Sequence, residues 1–338
     1  MVLVLDQHPA KGAIAPPPAP PKPMNFLTAS IAKLKRSLGA LSRVDARFAA
    51  LHEQLNERMD EMRFAQGLVL ASLHEHRTSP RIQDYEFKVF SQWGEDGILQ
   101  YLTRVIPITH KTFLEFGVGN FFESNCRYLM AKDNWRGLVI DGSAANMAQL
   151  KRSSFYWKHH LIALDAFITK DNINALLAQS QFDADVGILS VDLDGNDYFV
   201  LDAIDTFTPR ILICEYNAVF GPTRKISVPY DPSFDRTSAH SSNLYWGASL
   251  PAMTYLANKR GYSLVGTNAA ANNAFYVRND LLNARVEVLT AEQAHAPSLY
   301  RESVDTQGAF TFLAGDERLA AIQGMPVFNV EQGVIEPL

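Results

Sequence analysis

Cysteine is scarce. The two in 338 residues, Cys126 and Cys214, lie far apart and show no metal-type spacing. A disulfide framework and a cysteine-based metal cluster are thereby excluded, leaving two buried, reduced thiols as the expectation. Long apolar runs are also missing: none approaches the ~18 residues of a membrane span. The opening "MVLVLDQHPAKG" meets Asp6 too early to serve as a signal-peptide core. Positive charge is not in excess, since the formal net charge is −5. A nucleic-acid partner therefore has no electrostatic footprint. These absences together predict a cytoplasmic chain with no transmembrane segment.

Apolar residues make up 47 % of the chain and charged ones 20 %, enough for a sizeable core. The length suits about two domains at roughly 150 residues each. "APPPAPPKP" marks residues 1–23 as a proline-rich, disordered tail. Residues 24–76 then contain no proline and only two glycines. Ile31, Leu34, Leu38, Leu41, Val44, Phe48, Leu51, Leu55, Met59 and Met62 recur in steps of three or four, the stripe of one long helix. Such a stripe needs a partner, and a coiled coil holding a homo-oligomer is the expected one, with docking on its own domain as the alternative. Breaks in the strict heptad imply a change in supercoil. "HRTSPRIQD" reads as a linker over 77–85, followed by a single domain over 86–338.

In that domain, short apolar runs alternate with helical stretches. The runs are "TFLEFGVG", "GLVIDG", "HLIALD", "VGILSVDLD" and "ILICEYN". Strands apolar on both faces and separated by helices predict a doubly wound, Rossmann-like parallel α/β sheet. "YSLVGT" and "AFYVR" are too close for a crossover helix, so they close the sheet as an antiparallel hairpin.

Ligands of such sheets bind beyond the carboxyl ends of the strands. The first strand ends Glu115-Phe116-Gly117-Val118-Gly119, where glycines allow close approach and an acid can accept from an amino group. The second ends at Asp141, placed to meet the two hydroxyls of a ribose, and the third at Asp165, beside an adenine position. The fourth runs into "VDLDGND" and the fifth ends Glu215-Tyr216-Asn217. Asp192 and Asp194, two apart on a strand, share a face and repel unless a cation, an arginine or a proton lies between them.

"FSQWGEDGIL", "FLEFGVGN", "ESNCRYLM", "NWRGLVIDGS", "LSVDLDGNDYFVLDAI" and "EYNAVFGP" together resemble the FkbM-type family of class I S-adenosylmethionine-dependent methyltransferases, over about Phe90 to Arg278. The resemblance implies O-methylation of a sugar hydroxyl on a bacterial glycan or glycoconjugate. It implies cofactor contacts at Glu115, Gly117, Gly119, Asp141, Gly142, Ser143 and Asp165. It also implies Mg²⁺ or Mn²⁺ held by Asp192 and Glu215, with Asp194 and Asn217 next, and a location that can be peripheral to a membrane-bound glycan assembly complex. The metal lowers the hydroxyl pKa. Direct base catalysis by Asp192, Asp194 or His240 is the metal-free alternative. A third reading has Asp194-Gly195-Asn196-Asp197 only capping a helix. Two other classes stay open: a metal-dependent glycosyltransferase using the Asp-x-Asp at 192–194, and a non-catalytic coiled-coil scaffold. The loop "GPTRKISVPYDPSF" reads as a substrate loop carrying Arg224, Lys225 and Tyr230.

Overall fold

The computed structural model describes residues 26–338; the tail expected over 1–23 lies outside the described residues. By its contacts the chain separates into two units, one ending at Asp60 and one spanning Glu61–Leu338. Helix α1, Phe26–His74, is the long helix read from the apolar stripe. Along it Leu34, Val44, Phe48, Leu51, Leu55, Met59 and Met62 are exposed. Among the described residues, no helix is long and apolar enough to cross a membrane.

Residues 61–85 belong to the second unit and pack within it. Phe64 meets Tyr128 edge-on, and Tyr85 stacks on Tyr101 with ring centroids 3.6 Å apart. The segment expected as a linker thus includes a tight turn, Ile82–Tyr85, whose two apolar side chains are completely buried.

Ten strands follow: β1 (Thr112–Phe116), β2 (Arg136–Asp141), β3 (Leu161–Asp165), β4 (Ile188–Val191), β5 (Ile211–Glu215), β6 (Ile226–Ser227), β7 (Tyr262–Thr267), β8 (Asn273–Arg278), β9 (Pro326–Asn329) and β10 (Val334–Pro337). Seven form one sheet in the order β3-β2-β1-β4-β5-β8-β7. The first five are parallel, while β8 runs antiparallel to both β5 and β7. This is the Rossmann-like, doubly wound sheet with its terminal hairpin. The central strands β1, β4 and β5 are buried along their whole length. Successive side chains point to opposite faces. Leu114, Leu138, Leu189 and Leu212 therefore enter one core, and Phe113, Val139, Ile188 and Ile213 the other. Parallel strands buried on both faces are apolar at most positions, which is why the runs carry no alternation; Glu115, Ser190 and Glu215 near their carboxyl ends are exceptions.

The end of the chain builds a second, three-stranded sheet, β10-β9-β6. The expected substrate loop lies partly inside it. Arg224 pairs with Glu336 at 2.7 Å and Lys225 with Glu331 at 2.7 Å. These two cations brace the small sheet.

Candidate active site at the strand ends

β1, β4 and β5 are neighbours, so their carboxyl ends converge. There a cavity of about 750 Å³ opens, lined by Glu115, Gly117, Gly119, Asp192, Asp194 and Glu215 among others. Gly117 has φ +68°, and a Cβ built on it would run into the Asp192 carbonyl oxygen. A glycine is required here to let the β1 loop lie against the β4 loop.

Glu115 is buried and holds the following loop. Its carboxylate accepts from Ser124 Oγ at 2.8 Å, Asn125 N at 2.7 Å and Cys126 N at 3.1 Å. Burial raises its pKa, and those three donors oppose the rise. Asp141 plays a similar part at β2. It accepts from Gly119 N at 2.7 Å and Ser143 N at 2.9 Å, and so anchors the glycine loop from behind. Ser143 caps the helix Ala144–Arg152. Asp141, Gly142, Ser143 and the exposed Asp165 lie outside the cavity lining.

The acidic stretch divides by geometry. β4 ends at Val191, so Asp192 and Asp194 do not share a strand face. Asp194 takes φ +53° and pairs with Arg236 at 3.0 Å, which relieves the repulsion expected between the two acids. Asp192 instead joins Glu215 and Asp197, with one oxygen of each lying within 4.8 Å of the others. Asp197 stands at the start of the helix Asp197–Ala203, and its carboxylate accepts from Leu193 N at 2.7 Å and Gly195 N at 3.0 Å. Burial lifts its pKa to about 6 against those hydrogen bonds. Asp192 and Glu215 are each pushed well above the usual carboxylate range, first by burial and then by the neighbouring acids. Glu215 Oε2 is buried with no hydrogen-bond partner.

Asn217 does not join this cluster. Its amide donates to the carbonyls of Leu244 at 2.9 Å and Trp246 at 3.0 Å, and its Oδ1 accepts from Val219 N at 3.0 Å. The side chain is fully spent on backbone. His240 lies outside the cavity lining, and its Nδ1 accepts from Ser242 N at 3.1 Å.

Several lining residues carry no strand-end signature. "SQWGED" supplies Gln92 and Trp93 to the cavity. Buried Glu95 sets that loop, accepting from Trp93 N at 3.0 Å and Gly94 N at 2.8 Å. Its other oxygen accepts from Asn268 Nδ2 at 2.7 Å and Asn273 Nδ2 at 2.9 Å, which ties the loop to β8. Asp96 accepts from the amides of Val89, Phe90 and Ser91, and burial still holds its pKa at about 6. Tyr300 and Glu302 reach the cavity from the chain's last segment.

No protein-family model matches the chain, and no curated protein matches it. Solved structures do. The N-terminal domain of EvdMO1 with SAH bound is 8 % identical, with a TM-score of 0.35 over 56 % of this chain and 80 % of that one. The CurJ carbon methyltransferase is 12 % identical, at 0.34 over 58 % and 57 %. The plantazolicin methyltransferase BamL, in complex with a triazolic analog and SAH, is 12 % identical, at 0.33 over 63 % and 79 %. All three scores lie below 0.5, so the functional reading rests on the site itself.

Proposed function

We propose that the chain is an S-adenosylmethionine-dependent O-methyltransferase acting on a sugar hydroxyl, assisted by a divalent cation. The observation that carries this reading is the juxtaposition of the Gly117–Gly119 loop with Asp192 and Glu215, two members of the carboxylate cluster, in one cavity of about 750 Å³. That volume suits a cofactor-sized ligand together with part of an acceptor. Gly117 and Gly119 let backbone approach the ligand, and Glu115 and Asp141 keep the loop in place. When bound, the cofactor supplies an electrophilic methyl group.

The donor set also fits a hard cation. Mg²⁺ and Mn²⁺ take oxygen ligands, and Asp192, Asp197 and Glu215 offer one oxygen each within 4.8 Å of the others. A cation held there would lower the pKa of an acceptor hydroxyl. An oxygen of Asp192 or Glu215 not engaged by the cation would then take the hydroxyl proton. Without a cation, two carboxyls this close keep a proton between them. Of the other readings, a glycosyltransferase leaves the β1 glycine loop without a task, and a scaffold leaves the clustered acids without one.

Calorimetry with S-adenosylhomocysteine, followed by turnover on a glycan panel with and without chelator, tests the proposal. Absence of cofactor binding would overturn it. Full turnover after exhaustive chelation would remove the cation and return proton transfer to Asp192 or, failing that, His240.

The exposed stripe on α1 supports a homo-oligomer formed through a coiled coil. Cytoplasmic placement beside a glycan-assembling complex is part of the same proposal.

A further inference from the structure

The acceptor side of the cavity is chemically one-sided. Trp93 and Tyr300 stack with ring centroids 5.6 Å apart and planes 18° apart, and Trp93 keeps 39 % of its surface exposed. Both line the cavity. Glu95 ties the Trp93 loop to Asn273, whose strand partner is Glu215, so the aromatic pair stands on the β5–β8 side, away from Asp141 at β2.

Asp194, Glu215, Glu302 and Asn243 all present acceptor-bearing side chains to the lining. Carboxylates accept and do not donate when ionised, so a ligand that donates is favoured. Cationic help for an anion is missing. Arg236 is the one basic residue in the described lining, and it is already bonded to Asp194 at 3.0 Å and Glu302 at 3.2 Å. Arg318, behind it, is bonded to the same Glu302 at 2.9 Å. A phosphate or carboxylate would bring further negative charge beside Asp194, Glu215 and Glu302, where the one lining cation is already paired. A cation among Asp192, Asp197 and Glu215 does not reverse this, because their three charges exceed its two.

Resting on the methyltransferase reading, we propose that the acceptor is a polyhydroxylated ring without phosphate or carboxylate, stacked on Trp93 and donating hydroxyl hydrogen bonds to Glu302 and Asn243. A sugar ring has the matching faces: C–H groups for the indole and hydroxyls at the edge. Nucleotide sugars and sugar phosphates are excluded as acceptors.

Saturation-transfer NMR on the full-length protein, saturated with S-adenosylhomocysteine, tests this with methyl hexopyranosides and the matching hexose phosphates as probes. The expected result is transfer to the ring C–H protons of at least one neutral glycoside. It should fall several-fold in Trp93→Ala, recover in Trp93→Phe and be absent for the phosphates. Calorimetric S-adenosylhomocysteine binding by each variant reports both fold and cofactor site. If the parent does not bind that probe, the methyltransferase reading fails first. If it binds, the proposal is overturned by phosphates giving equal or stronger transfer, by no glycoside giving any, or by Trp93→Ala leaving the signal unchanged.

Discussion

Asp192 and Glu215 each follow the last paired rung of β4 and β5. Val191 and Cys214 are partners across β4 and β5, and the two acids are the next residues along. Their carboxylates meet Asp197 in a buried cluster with no cationic side chain among its three members. Like charges this close bind either a proton or a cation.

Metal binding should therefore release protons. Mn²⁺ affinity is expected to rise with pH as the raised Asp192, Glu215 and Asp197 groups ionise. Calorimetry in buffers of different ionisation enthalpy would count the protons. An unchanged heat across buffers would show that the cluster is already fully ionised.

The metal-free protein should lose stability as pH rises from about 4 through 6. Asp96 and Asp197 both titrate near 6 when folded, above their ordinary 3.8. A carboxyl with a raised folded pKa stabilises fully below its unfolded pKa, and that contribution disappears as pH passes the folded one. For Asp197 the difference is on the order of 3 kcal/mol. Asp197→Asn should flatten part of this slope in thermal melts, and an identical slope would contradict the assignment.

Asn217 and Glu215 should separate stability from metal binding. Asn217→Ala leaves three buried backbone groups unpaired and should cost about 2–4 kcal/mol, with Mn²⁺ affinity intact in the folded fraction. Glu215→Gln should instead weaken Mn²⁺ by tenfold or more and leave the melting temperature equal or higher. The reverse pattern would make Asn217 the ligand.

Asp141→Ala should reduce S-adenosylhomocysteine affinity by tenfold or more, because the Gly119 and Ser143 amides lose their common acceptor. The effect on binding is on the order of 2–3 kcal/mol for hydrogen bonds to a charged acceptor. Parent-like affinity would show that the glycine loop holds its shape unaided.

Removing residues 1–60 should lower the oligomer order in light scattering and preserve cofactor binding, since residues from Glu61 onward form their own unit. The exposed apolar side chains along α1 would otherwise each leave ~1.5–3 kcal/mol of burial unrealised. Full-length protein that runs as a monomer at micromolar concentration would refute the coiled coil. A cut at residue 80 should aggregate, because it strips Phe64 from Tyr128.

The sheet was legible because strands buried on two faces leave unbroken apolar runs, and strand ends follow from where those runs stop. Helix-start acids such as Asp197 carry no such mark: in sequence a capping aspartate and a cluster member look alike. Asn217 sits at a strand end, but its role is fixed by the Leu244 and Trp246 carbonyls, distant in the chain. Ile82 and Tyr85, two apolar residues in a short polar-looking segment, show no periodicity, although both are buried. The last segment was opaque for the same reason. Its Tyr300, Glu302 and Arg318 acquire meaning only against Trp93 and Arg236.

The stacking of Trp93 on Tyr300 also bears on synthesis. A ribosome releases the Gly117 loop, β4 and β5 well before it releases Tyr300. The growing chain can pair its central strands while one wall of the cavity is still unmade. Until Tyr300 emerges, the Trp93 indole has no stacking partner. A chain cut short of Tyr300 would therefore keep its central strands and lack one wall of the pocket.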